Sequence, residues 1–271
     1  FDGQLNDQQL CQVRVGTHAF VNLLTLEPNA EILCGSRVDY DITLLDMDGS
    51  KSHLCELLPS LLYSDQSYPS FVVRRQIGHM LHGSCRKPHH DSDDGLVIVD
   101  RQIESGLAGQ GELPDLLMMS GDQVYTDDVA GPTLVAIKQT IDILGLFHEE
   151  LKGSTISNSK EIFEHKHCFY QRPKLLPDNP NTTDTYSQFF AGKRKPVFTS
   201  VNASNHLISF AEVMAMYILT WSPEMWRQVY INDEAISQPF KRKFAEEKVI
   251  IENFVAGLGK VRRALAHVRV Y

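Results

Sequence analysis

The chain has 271 residues, 42% of them hydrophobic, which is enough for a packed core in one large domain or two smaller ones. A formal net charge of −8 and a sequence pI near 5.7 argue against non-specific nucleic-acid binding, and no nucleic-acid-binding domain is evident. The acidity does not exclude a phosphate ester held by a site that supplies its own cations, and no run of about 18 apolar residues is present to form a membrane span.

Residues 10–75 alternate apolar and polar side chains in short stretches, with turn signals at Glu27-Pro28-Asn29, Cys34-Gly35-Ser36 and Met47-Asp48-Gly49-Ser50. Turns this close together predict a small antiparallel β-sandwich, and a domain boundary is expected between residues 76 and 77. Beyond it, GHMLHGSC reads as a buried strand and LVIVDRQIESG as an amphipathic helix ended by glycine. DLLMMSGD reads as a second buried strand. PTLVAIKQTIDILGLF reads as a helix, with proline in its first turn and apolar residues at Leu134, Ile137, Ile141 and Leu144. Strand, helix, strand, helix is the signature of a parallel sheet covered by helices.

Residues 169–200 are rich in Pro, Asn and Thr and predict a long irregular excursion. HLISFAEVMAMYILTW reads as a mostly buried helix, with capping the default role for Asn205-His206 at its start. Ser222-Pro223-Glu224 predicts a further cap and first turn. Apolar residues from Phe240 to Leu265 mark a long amphipathic helix that Gly257 and Gly259 could loosen, and His267–Tyr271 resembles the opening of another strand.

The cysteines, Cys11, Cys34, Cys55, Cys85 and Cys168, lack CxxC spacing and argue against a disulfide framework. Their usage favours a cytoplasmic location, with a secreted or periplasmic one open if a leader was removed. The chain opens with Phe1 and reads as a processed or excised piece.

In open α/β sheets, ligands collect beyond the carboxyl ends of the strands. One candidate strand ends in Gly83-Ser84-Cys85-Arg86, the other in Gly121-Asp122-Gln123-Val124-Tyr125. If the strands are neighbours, Cys85 and Asp122 face one crevice, where a carboxylate can ligate metal and Arg86 can pair with a phosphate. A thiolate and a phenolate on one ion favour iron or zinc over magnesium. Bland readings stand beside these: Cys85 as an inert strand-end thiol, Tyr125 as a packing aromatic, and Asp127 and Asp128 as caps for the helix after Pro132. His89-His90 with Asp91, Asp93 and Asp94 resembles a metal site but falls in a polar loop, where solvated charge is the default. Asn181-Thr182-Thr183 and Asn202-Ala203-Ser204 match glycosylation sequons by form.

The two strand-end motifs together, in this order, resemble the PhoD-like alkaline phosphatases of the calcineurin-like metallophosphoesterase superfamily. The resemblance covers roughly residues 10–150 and thins after that. It implies an N-terminal β-sandwich (1–76) followed by an α/β/β/α metallophosphoesterase domain (77–271). It implies that Cys85 is the thiolate ligand to an iron ion, Asp122 a carboxylate shared between metals, and Tyr125 a phenolate on the same iron. Calcium or another divalent ion would accompany the iron, and a metal-activated water would hydrolyse phosphate mono- or diesters. Thr126 stands where the family has alanine. The family's later Asp-Asp-His and Gly-Asp-x-His motifs do not occur, so the expectation is a truncated domain holding part of the metal site. The alternatives are a hydrolase with Cys85 as nucleophile and His82 or His89 as base, and a non-catalytic interaction module.

Overall fold

The computed structural model describes residues 9–27, 31–176, 198, 200 and 202–271. The chain is mixed α/β, and its strands pair two by two. β1 (Leu10–Arg14) and β2 (Phe20–Leu24) form an antiparallel hairpin. β3 (Arg37–Asp39) pairs antiparallel with β6 (Ser70–Val72), and between them in sequence β4 (Thr43–Leu45) pairs antiparallel with β5 (Lys51–His53). The antiparallel character expected of residues 10–75 is therefore present. Among the described residues, no strand residue of β1, β2, β3, β4 or β5 joins a buried apolar cluster, although Val15 between β1 and β2 does, and Val13, Phe20, Leu23, Leu44 and Leu45 are exposed.

A strand–helix–strand unit follows the single-turn helix α1 (Leu54–Leu57) and these ladders. β7 (Met80–Gly83) and β8 (Leu116–Met119) pair in parallel, Gly83 opposite Met119, and α2 (Gly95–Leu107) connects them. Asp94 caps α2 by accepting from the Leu96 N–H. The end of the chain runs alongside β8 in parallel: the Leu117 N–H donates to the Arg269 carbonyl (2.8 Å) and the Met119 N–H to that of Tyr271 (2.7 Å). The pairing expected of the last residues is thus present. β8 is flanked on both edges, and Leu117 is 1% exposed. β7 departs from the buried strand that its sequence suggests. Its side chains alternate, Leu81 packing against the core while Met80 and His82 are exposed on the other face.

α3 (Gly131–Leu144) has Pro132 in its first turn and stops at Gly145, whose φ of 58° is the left-handed cap that glycine accepts without penalty. α4 (Phe210–Trp221) begins in a capping box between Ser209 and Glu212, not at Asn205-His206. The Ser222-Pro223-Glu224 signal leads only into a short 3-10 turn, Met225–Arg227. α5 (Lys241–Ala266) runs unbroken through both glycines. Gly257 serves packing there: a Cβ would meet Val97 of α2 at 3.2 Å, so its absence lets the two helices close up.

Two buried clusters follow from these faces. Leu96 and Ile103 of α2, Leu117 of β8 and Val261 of α5 form one, and Leu134 and Ile137 of α3 with Ala215 and Leu219 of α4 form the other. Each fully buried Leu or Ile contributes roughly 1.5–3 kcal/mol. Contacts cross the expected 76/77 boundary. Tyr63 joins the α2–α5 cluster, the Ser70 N–H donates to His267 Nδ1 (3.2 Å), and the Thr17 N–H donates to the Gly145 carbonyl (2.8 Å). Of the irregular stretch expected over 169–200, Arg172–Leu175 is a 3-10 turn, while 177–197 and 199, with the Asn181 sequon, lie outside the described residues. No described helix is long and apolar enough to cross a membrane.

Candidate metal centre

The parallel pairing of β7 with β8 brings their carboxyl ends side by side. The Ser120 N–H donates to the Gly83 carbonyl (3.1 Å), so the segments that follow leave the sheet in contact. Gly121 is in a close approach that no other residue could make unchanged: a Cβ would lie 2.0 Å from Ser84 Oγ and 2.6 Å from both the amide nitrogen and the sulfur of Cys85. Cys85 itself has φ of +54°, a left-handed conformation uncommon outside glycine.

Three side chains of different chemistry meet here. Cys85 Sγ is 3.0 Å from Ser84 Oγ, and the Asp122 backbone N–H and the Tyr125 hydroxyl are near enough to act on the thiol. The Asp122 carboxylate acts on that hydroxyl in turn. The bond from Ser84 is the main cause holding the Cys85 thiol below its ordinary pKa, with Asp122 N–H and Tyr125 adding to it and the Asp122 charge opposing. Tyr125 shifts the other way: burial first, then its Cys85 and Asp122 neighbours, push it up to about 12.

The acidic turn is braced from several sides. The Gln123 side-chain amide donates to the carbonyls of Gly121 (2.7 Å) and Met119 (3.2 Å). The Trp221 indole donates to the Gln123 carbonyl (3.1 Å), and the Leu207 N–H to that of Thr126 (2.7 Å). Val124 packs against the α3–α4 cluster. Cys85 and Tyr125 open onto a cleft of about 970 Å³ whose walls include Val97, Phe254, Gly257 and Lys260.

Among the described residues, no three His, Cys, Asp or Glu side chains group in a way that could hold a metal ion. The Tyr125 phenol adds a third donor to Cys85 and Asp122. Of these three donors Cys85 and Tyr125 line the cleft; sulfur, carboxylate and phenol are donors that would suit a polarising ion of the iron or zinc kind, and they fall short of a complete ligand set.

The other sequence-derived candidates have partners of their own, although Arg86, His90 and Asp94 also line the cleft. Arg86, expected to meet a phosphate, is turned inward and is 8% exposed. Its Nε and Nη2 donate to Asp94 (3.0 and 2.6 Å) and its Nη1 to the Thr220 carbonyl (2.6 Å), while the guanidinium stacks 4.9 Å from Trp221 and 4.7 Å from Phe254. It fastens the exit of β7 to α2, α4 and α5. Asp127 and Asp128 do not cap α3, contrary to expectation. The cap residue is Ala130, and the Gly131 N–H donates to Glu247 of α5 instead (2.7 Å). Asp128 pairs with Lys87 and with His89 (3.4 Å), and the Asp127 carboxylate accepts the Asp128 N–H (3.0 Å). Of the polar loop, His90 bonds Ser92, while Asp94 caps α2 and holds Arg86. Asn205 ties the Tyr170 N–H (2.6 Å) to the Val129 carbonyl (2.8 Å).

Sequence reasoning missed Ser84 as a partner of the thiol and Lys87 as a partner of the acidic turn. The available signal was positional: two parallel strand ends that share a crevice also bring together the residues just beyond them. Comparison with known protein families, curated proteins and solved structures finds no match for this chain.

Proposed function

We propose that this chain carries part of the active site of a PhoD-like metal-dependent hydrolase of phosphate mono- or diesters. The observation that carries the reading is the meeting of Cys85, Asp122 and Tyr125 at the ends of two adjacent parallel strands. In this reading Cys85 and Tyr125 hold an iron ion, and Asp122 holds it jointly with calcium or another divalent ion. Bound metal supplies activation of a water and neutralisation of charge on the phosphoryl oxygens. The chain's own residues do the positioning. Ser84 and the Asp122 N–H keep the Cys85 sulfur ready to ligate by favouring its ionised form. Trp221 and Leu207 fix the acidic turn, whose Tyr125 lines the cleft. Substrate binds in the cleft beside Phe254 and Lys260.

The parent architecture in this proposal is an N-terminal β-sandwich followed by an α/β/β/α domain. The antiparallel ladders and the parallel strands would be this chain's share of it, with further ligands supplied from outside these residues. The alternative with Cys85 as nucleophile has less support: His82 bonds Ser120 (2.6 Å) and His89 pairs with Asp128, so among the described residues neither expected base is bonded to Cys85.

The test is elemental analysis with a chromogenic phosphodiester assay, with and without chelator, on the full-length parent and its Asp122→Ala variant. Bound iron with a second divalent ion, and loss of metal and turnover together in the variant, are expected. A parent that hydrolyses the ester at full rate in chelator, or a variant with unchanged metal, would refute the proposal.

A further inference from the structure

We propose that Asp128 is a positioning residue, clasping the segment after β7 to the segment after β8 through Lys87 and His89. The inference rests on reading Cys85, Asp122 and Tyr125 as the metal centre. Lys87 is two residues beyond Cys85, and its ammonium pairs with Asp128 Oδ2. His89 Nε2 is 3.4 Å from Asp128 Oδ1, so one carboxylate uses both oxygens on one loop. The pair is not on open surface: the side chains of His89, Lys87 and Asp128 are 10%, 25% and 27% exposed.

The two ends of the clasp differ in rigidity. Asp128 is followed by Val129 and Ala130, which are 2% and 0% exposed, and the Val129 carbonyl is held by Asn205 (2.8 Å). Lys87 extends from a segment that has just passed through the left-handed φ of Cys85. A residue in a sparsely populated conformation persists only where its surroundings over-determine it. The sheet constrains Cys85 from one side, Arg86 anchors its neighbour, and the Asp128 carboxylate draws the next residue toward the acidic turn. That pull keeps the Cys85 sulfur and amide against Gly121, beside Asp122, in the gap that the glycine leaves open. An ordinary solvated ion pair, such as Lys138 with Asp142 on α3, would do none of this.

The experiment uses this chain without metal and then with added Co(II) as the probe. Asp128→Asn and Lys87→Met each remove the clasp from one end, Asp128→Glu is the conservative variant, and Asp142→Asn is the control. Amide hydrogen exchange at Asp122, and the thiolate-to-cobalt absorption on titration, are measured beside far-ultraviolet circular dichroism. The expected result is at least tenfold faster exchange at Asp122 and about tenfold weaker cobalt binding in the first two variants, as for outer partners of metal ligands, with Asp128→Glu within about twofold of wild type. Wild-type exchange at Asp122 in Asp128→Asn would overturn the proposal. So would acceleration spread evenly over all amides in both clasp variants. If the wild-type chain binds no cobalt while exchange at Asp122 still accelerates selectively, the clasp stands and the metal reading falls.

Discussion

Replacing Gly121 with alanine perturbs the centre without replacing a proposed ligand. The added methyl would lie 2.0 Å from Ser84 Oγ and 2.6 Å from the Cys85 amide nitrogen and sulfur, whereas ordinary contact begins at 3.4 Å. The shortfalls are therefore 1.4 Å and 0.8 Å. The serine hydroxyl can rotate away. The Cys85 amide cannot, because it belongs to the backbone just beyond a hydrogen-bonded strand, so the two strand ends must part by most of an ångström. Overpacking of this kind costs about 1–3 kcal/mol. The same displacement moves the Cys85 sulfur away from the acidic turn, and metal affinity should fall roughly tenfold or more. Urea denaturation of the metal-free chain reads the first effect and cobalt titration the second. Gly121→Ala/Ser84→Ala serves as the diagnostic companion: removing the hydroxyl should recover little, since the backbone clash remains. A wild-type unfolding midpoint together with wild-type cobalt affinity in Gly121→Ala would refute the close-approach argument.

Two further outcomes concern buried polar networks away from the cleft. Arg172 and Glu212, both fully buried, pair at 2.5 Å; Arg172→Ala should destabilise by about 3–5 kcal/mol in urea melts by stranding the carboxylate. Arg172→Met with Glu212→Leu should recover most of that, short of about 1 kcal/mol for the lost capping box on α4. His267 accepts from the Ser70 N–H at Nδ1 and donates to the Leu61 carbonyl at Nε2 (2.9 Å); burial is the main cause holding its pKa below 6.5, with the Leu61 bond opposing and Arg263 adding to the depression. The unfolded chain then takes up the proton first, so this contribution is complete above pH 6.5 and is lost as pH falls from there toward the folded value, by at most about 1.4 kcal/mol per pH unit. Melts of wild type against His267→Gln between pH 7.5 and pH 5, taken as roughly bracketing the histidine range, should be steeper in wild type, since His89 is also held below its ordinary pKa by burial in both chains; equal slopes would refute it.

Local pattern was enough to identify the four longer helices among the described residues. Apolar spacing in α2, α3, α4 and α5, with Pro132 and Gly145 bounding α3, depends on side chains three or four residues apart. The parallel relation of β7 to β8 was legible for a similar reason, since a strand, a helix and a strand in succession have one common way to pack. That relation brought the segments after the two strands, with Gly121 against Ser84 and Cys85, side by side. What local pattern could not convey was the choice of distant partners. β3 passes over β4 and β5 to pair with β6 because ladder hydrogen bonds are alike for every strand. Arg86 could equally have faced a phosphate; Asp94, the Thr220 carbonyl and the rings of Trp221 and Phe254 surround it only once α2, α4 and α5 have packed. Asp128 has the chemistry of a helix cap, and became the partner of Lys87 and His89 because Glu247, 116 residues beyond Gly131, reached that N–H instead. A charged group takes whichever opposite charge the assembled fold brings within reach, and that proximity is a property of three dimensions rather than of neighbours along the chain.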